Sequence, residues 1–217
     1  MGNMTRSIDK VVEVLNSGGV IAYPTDTVYG IGCSIRFENA VNRINEIKES
    51  YKSKPLIVLF SSLEQVLEYI TLDKGQTDAI GKDLEYEKEA RKYFTRIPDS
   101  KYFVPDSIML KKKAYKPVTH LVKNIPGNEG IIPPYVSGGL NEVAIRIPNH
   151  RMVREITERV GPITSTSANL NGGYAPTKYE DLDLEISGQV NLILKGDCIY
   201  KVSSSIISLL NGDVLRA

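Results

Sequence analysis

Gly18-Gly19-Val20-Ile21-Ala22-Tyr23-Pro24-Thr25-Asp26-Thr27-Val28-Tyr29-Gly30-Ile31-Gly32 decides how the rest of this chain is read. Val20, Ile21, Ala22 and Tyr23 form an apolar run of strand character. Pro24 has no amide hydrogen to give a sheet, so it belongs at the strand's end. Beyond it Thr25, Asp26, Thr27 and Tyr29 crowd polar groups into a turn punctuated by Gly30 and Gly32. Two readings of that turn are open. Open α/β sheets bind ligands beyond the carboxyl ends of their strands, which makes it a candidate site. Thr and Asp also serve ordinary turns through local hydrogen bonds.

Outward from this stretch, helix and strand signals alternate. On the N-terminal side Ser7 can cap a helix whose stripe is Ile8, Val11, Val12 and Leu15, with Gly18 or Gly19 as its stop. On the other side residues 39–49 carry the stripe Ala40, Val41, Ile44 and Ile47 of a second helix. Its exit, Lys48-Glu49-Ser50-Tyr51-Lys52-Ser53-Lys54-Pro55, is rich in lysine, which partly complements the helix dipole. Leu56-Ile57-Val58-Leu59-Phe60 reads as a strand, and Ser62-Leu63-Glu64-Gln65 as a capping box opening a helix to Ile70. Residues 71–99 are irregular, with charge of both signs, and suggest a surface helix plus loops.

Further on, Ser107-Ile108-Met109-Leu110 reads as a strand. Between residues 111 and 123 come five lysines and no acid, a solvated face or a patch able to touch RNA phosphates. Residues 127–139 form an extended loop. Val143-Ala144-Ile145-Arg146-Ile147 is a strand with one charge at its centre, either exposed on one face or aimed at an anion. Asn149 can cap the next helix, with stripe Val153, Ile156 and Val160 and stop Gly161-Pro162. Ile163-Thr164-Ser165-Thr166-Ser167-Ala168-Asn169 mirrors the first polar strand end. Leu192-Ile193-Leu194 and Ser205-Ile206-Ile207-Ser208-Leu209 are late strands, and Asn211-Gly212 turns the chain back through Val214, Leu215 and Arg216.

Composition narrows the function classes. The 217 residues, 41% hydrophobic and 24% charged, suffice for one large domain or two small ones. A net charge of +1 leaves no strong global field, so nucleic-acid affinity would need a local patch. Cys33 and Cys198 have neither metal-ligand spacing nor the density of a disulfide scaffold. No apolar run approaches a membrane span, and the N-terminus lacks a signal peptide's apolar centre, so a cytoplasmic protein without a membrane partner is expected. His120 and His150 are the only histidines and lie near no nucleophile motif, which argues against a Ser-His-Asp hydrolase. The recurring set is Lys, Arg, Ser, Thr and Asn at strand ends. Such groups neutralise phosphate and position carboxylate, the needs of phosphoryl or nucleotidyl transfer.

At this point the chain resembles the YrdC/Sua5 family. The resemblance is carried by residues 19–32, by Lys48 followed by Lys54-Pro55-Leu56-Ile57-Val58, and by Val143-Ala144-Ile145-Arg146-Ile147-Pro148. Ser165-Thr166-Ser167-Ala168-Asn169 with Gly172, then Ser204-Ser205-Ile206-Ile207 and Arg216, complete the order. It implies one YrdC-like domain over residues 1–217, without a second Sua5-type domain. The implied fold is α/β: a twisted open sheet of mixed parallel and antiparallel strands, flanking helices and a concave basic pocket. It also implies a nucleotidyltransferase that makes L-threonylcarbamoyladenylate from L-threonine, bicarbonate and ATP, with Mg2+ on the triphosphate. A downstream transferase would use the product to modify tRNA at position 37. By motif position Lys48 and Lys54 are the catalytic cations. Thr25, Ser165 and Ser205 would line the threonine end, and Lys48, Lys52, Arg146, Ser167, Asn169 and Arg216 the nucleotide end.

The chain departs from the family pattern at four places. Ser50 replaces an arginine, Leu59 a histidine, and Ala175 a small hydroxyl residue. Val104-Pro105-Asp106-Ser107-Ile108-Met109 lacks the glycine and threonine of the corresponding block. Two alternatives therefore stand beside the synthase: a non-catalytic RNA-binding member using the lysines of residues 111–123, and a carbamoyl-adenylating domain with another substrate.

Overall fold

In a computed structural model, which describes residues 3–49, 54–95, 116–128, 130–170 and 172–217, the chain runs β1 (Asn3–Thr5), α1 (Ile8–Asn16), β2 (Ile21–Pro24), β3 (Tyr29–Gly32), α2 (Glu38–Ile47), β4 (Ile57–Leu59), α3 (Leu63–Tyr69) and α4 (Lys74–Thr95). It continues through β5 (Val118–Lys123), α5 (Pro134–Ser137), β6 (Glu142–Arg146), α6 (Arg151–Val160), β7 (Ile163–Ser167), α7 (Leu184–Gln189), β8 (Leu192–Leu194), β9 (Ser205–Ser208) and β10 (Val214–Arg216). The strands form an open sheet in the order β1-β8-β2-β3-β7-β4-β6-β5-β9-β10. Parallel pairs (β1 with β8, β4 with β6, β5 with β9) mix with antiparallel ones such as β2 with β3 and β3 with β7. This is the mixed open architecture with flanking helices that the sequence led us to expect.

The pleat sends alternate residues to opposite faces, and the two cores follow that alternation. Ile21 and Tyr23 of β2, Leu59 of β4 and Ile163 of β7 pack with Val11 and Leu15 of α1 and Val153 and Ile156 of α6. Ala22, Val58 and Ile193 point the other way, into the larger core with Val41 and Ile44 of α2 and Ile186 of α7. Two glycines are dictated by space and backbone. Gly18 ends α1 at φ 77°, in the left-handed region. Gly32 lies against β7 so closely that a Cβ there would fall on the Thr164 carbonyl oxygen.

Several expectations change. Asn149 does not cap α6, since His150 holds that position. Instead the Asn149 amide donates to Asp26 Oδ2 at 3.1 Å and its Nδ2 to Tyr200 Oη at 3.2 Å. The surface helix expected within residues 71–99 is there, and it runs 22 residues, from Lys74 to Thr95. Its apolar stripe is thin because it docks through polar pairs: Asp83 with His120 at 2.8 Å, Glu87 with Arg146 at 3.1 Å, and Arg91 with Asn149 Oδ1 at 2.9 Å. The lysine-rich stretch contains β5, and the long loop contains α5. Ser62 does cap α3, its Oγ accepting from the Gln65 amide at 3.2 Å. The strand expected at residues 107–110, Lys52, Ser50 and Lys111, Lys112 and Lys113 lie outside the described residues. No described helix is long and apolar enough to cross a membrane.

Candidate active site

Strand register locates a single polar face. Gly30 pairs with Ser167, Ile57 with Ser165, Leu59 with Arg146, and Thr119 with Ile206. Directly opposed residues share a face, as do residues two apart along a strand. Gly30, Ser165, Ser167, Ile57, Leu59, Arg146, Ile206 and Ser204 therefore point the same way. At the Ile21 and Ile163 end α1 and α6 cover this face. Further along, the eight residues just named line a cleft of about 380 Å³. The site takes in the turns beyond the carboxyl ends of β2 and β7, as expected, and also extends across the sheet's face. The antiparallel β3–β7–β4 pairings cause this extension, because they put the end of β7 beside the start of β4.

The hairpin turn after Pro24 closes one side. Thr25 Oγ1 donates to the Val28 carbonyl at 2.7 Å and accepts from the Thr27 amide at 3.0 Å. Both readings of this turn hold at once: its hydroxyls bond locally, and Thr25 and Thr27 line the cleft. Asp26 is fully buried; its Oδ2 accepts from Arg146 Nη2 and from the Asn149 amide. Burial pushes this carboxyl's pKa up, but the adjoining Arg146 guanidinium outweighs it and holds the group below the ordinary aspartate value.

Lys48 closes the opposite side. Only 5% exposed, its Nζ donates to the Ser167 carbonyl at 2.7 Å and to the Asn169 carbonyl. Burial, with Lys54 adding repulsion, brings the ammonium down to about 8. It still carries charge at neutral pH while fastening the 167–169 turn, which Tyr29 holds from below by accepting the Ala168 amide at 2.9 Å. Lys54 is exposed at the rim. Arg216, at the chain's far end, reaches the same cleft, where Nε donates to the Ser204 carbonyl at 2.8 Å and Nη2 to Ser204 Oγ at 3.0 Å.

Of the residues singled out in the sequence, Thr25, Lys48, Lys54, Arg146, Ser165, Ser167, Asn169 and Arg216 line this one cleft. Ser205 does not. Strand alternation turns it away, and Ser204 takes the facing position, its Oγ 2.7 Å from Thr119 Oγ1. Three serines in a row carried no signal to choose among them; only the pairing of β9 with β5 does. Arg146 is also unlike the expectation of a phosphate contact. At 4% exposure its guanidinium is engaged by Asp26, by Glu87 Oε1 at 3.1 Å and by the Val118 carbonyl at 2.8 Å. Asp26 lay in the turn singled out as a candidate site, but its pairing with Arg146, and that of Glu87, were missed because charge pairing across distant elements leaves no local pattern.

A mixed open sheet with a cation- and hydroxyl-lined cleft on one face defines an α/β domain built to hold a small anionic ligand. The chain belongs to the Sua5/YciO/YrdC family, whose model, described as "Telomere recombination", matches residues 13–217. It is 28% identical over 193 residues to the threonylcarbamoyl-AMP synthase of Aliivibrio fischeri, covering 88% of each chain. A crystal structure of P. abyssi Sua5 complexed with L-threonine aligns with TM-score 0.65 and 26% identity over 97% of this chain and 54% of that one. This chain thus spans about half of that protein. The E. coli YciO structure shares the fold, with TM-score 0.70 and 22% identity over 100% of this chain and 95% of that one.

Proposed function

We propose that this protein makes L-threonylcarbamoyladenylate from L-threonine, bicarbonate and ATP, releasing pyrophosphate, for modification of tRNA at position 37. The observation that carries the reading is convergence. Two hydroxyl-bearing turns and cations from opposite ends of the chain meet in one cleft of about 380 Å³, and relatives of similar length bear the synthase name. The threonine amine takes up bicarbonate with loss of water, giving a carbamate. A carbamate oxygen then attacks the α-phosphorus, the bond to the β-phosphate oxygen breaks, and pyrophosphate departs. Little covalent participation is asked of the protein; it positions two anions and offsets their charge.

In this reading Thr25 and Ser165 face threonine, while Lys48, Lys54, Lys52 and Arg216 balance the phosphates, with Ser167 and Asn169 as hydrogen-bonding groups. Ser204 replaces Ser205 at the threonine end. Mg2+ enters as part of the nucleotide, carried on the triphosphate. The adenylate then passes to a separate tRNA-modifying transferase, which leaves RNA contact by this chain unnecessary. The test is pyrophosphate release from ATP. It should require both threonine and bicarbonate, and release that ignores either one overturns the proposal.

A further inference from the structure

Tyr29 is fully buried, packs in the larger core and has no place in the lining of the cleft. Its hydroxyl is nevertheless fully used: it donates to the Gly196 carbonyl at 2.8 Å and accepts the Gly196 amide at 3.1 Å. From that point the chain runs along the back of the hairpin turn, and alternate residues meet successive residues of it. Gly196 lies so close to Pro24 that a Cβ would stand 2.9 Å from its Cγ. The Cys198 thiol borders the Thr25 backbone. The Tyr200 amide donates to the Asp26 carbonyl at 2.7 Å. Strand pairing completes the cluster, because Pro24 sits opposite Tyr29 itself.

We infer that Tyr29 is a positioning residue for the amino-acid substrate: its hydroxyl pins residues 196–200 against the turn that carries Thr25, and so fixes where Thr25 stands in the cleft. This rests on the reading of Thr25 as a threonine contact. The turn's own bonds, from Thr25 Oγ1 to the Val28 carbonyl and from the Thr27 amide to Thr25 Oγ1, set its internal shape. They do not set its place relative to Ser165 across the cleft. Strand pairing of β2 with β3 stops at Pro24 and Tyr29, and beyond that pair the turn is held from outside by residues 196–200 and by the Asn149 amide on Asp26. A phenylalanine at position 29 keeps the ring in the core and gives up both bonds to Gly196, which releases residues 196–200 at their start. Small misplacements of a binding group are costly, because a substrate is held in one geometry. The nucleotide end draws on Lys48, Lys54 and Arg216, which lie on other elements, so it stays as it was.

The experiment measures pyrophosphate release by the full chain, wild type and Tyr29→Phe, with L-threonine and ATP varied in turn at saturating bicarbonate. KM for L-threonine should rise on the order of tenfold, the equivalent of one hydrogen bond, while KM for ATP stays within about twofold. A hydroxyl that only stabilises the core would lower the urea midpoint and leave both constants where they were. That result overturns the inference, and so does an equal rise in both. Hydrogen exchange gives a readout independent of the reaction: without ligand, the Tyr200 amide should exchange faster in Tyr29→Phe than in the wild type, and equal exchange overturns the inference. Where Tyr29→Phe does not fold, the same amide in the wild type should exchange more slowly with L-threonine bound, by linkage, and unchanged exchange overturns it. A wild type whose release requires threonine and bicarbonate, beside a variant with unchanged constants, refutes only the role of Tyr29. A wild type whose release ignores either one, beside a variant with faster exchange at Tyr200, refutes only the assigned reaction.

Discussion

Replacing Lys48 by Met separates two roles that its geometry combines. The ammonium is buried, fastens the carbonyls of Ser167 and Asn169, and is held at about 8, below the ordinary lysine value of 10.5, by burial and by Lys54. That gap corresponds to roughly 3 kcal/mol of strain on the charged form, which access of water at the cleft mouth reduces to about half. Each charge-assisted hydrogen bond returns about 1.5–3 kcal/mol, but water entering the cleft can replace Lys48 at both carbonyls. The two bonds together outweigh the strain and water at the carbonyls offsets most of the difference, so Lys48→Met should lower stability by about 1–2 kcal/mol. Loss of a contact cation should cost tripolyphosphate or ATP at least about tenfold in affinity.

The pH dependence sharpens the same test. Between pH 8 and 10.5 the unfolded chain still binds the Lys48 proton while the folded chain has lost it, so the strain disappears and stability rises with pH relative to Lys48→Met. Over the same window anion affinity falls, because the cation is gone. Urea titrations and calorimetry at pH 7 and pH 9.5 read the two slopes directly. A variant that loses several kcal/mol of stability while binding polyphosphate as tightly as the wild type would refute the assignment, leaving Lys48 as a structural staple.

Three further outcomes follow from the packing. Gly32→Ala places a methyl on the Thr164 carbonyl and should cost at least about 3 kcal/mol in urea unfolding, since backbone on both strands must move. Arg146→Met leaves the carboxylates of Asp26 and Glu87 buried without their shared guanidinium, and should destabilise by about 3–5 kcal/mol. Adding Asp26→Asn and Glu87→Gln to it should recover part of that loss. Thr25→Val removes the hydroxyl that serves both the Val28 carbonyl and the Thr27 amide; about 1–3 kcal/mol should be lost, together with most of the threonine-dependent pyrophosphate release.

Local pattern carried the sequence reading as far as local physics reaches. The stripes of α1, α2 and α6 were legible because a helix that buries one face must repeat apolar residues at its own period. The Asn211-Gly212 turn was legible because few residues adopt its backbone; Gly212 takes φ 81° and returns β10 against β9. A helix within residues 71–99 was legible, but the docking of α4 was not, because its hold on the sheet includes Asp83, Glu87 and Arg91 meeting His120, Arg146 and Asn149, partners 37, 59 and 58 residues away. Strand β1 was equally hidden: three residues, Asn3–Thr5, owe their extended form to a parallel partner at residues 192–194.

By itself, the sequence determined which segments bury apolar surface, where glycine and proline must break them, and which family's motifs stand in which order. The tertiary structure alone decided which face each strand presents. A shift of one residue exchanges Ser204 for Ser205 in the cleft, and that register depends on neighbours far along the chain. It also decided what Arg146 holds, because a charge takes the partners that folding brings within reach, and sequence distance says nothing of which those are.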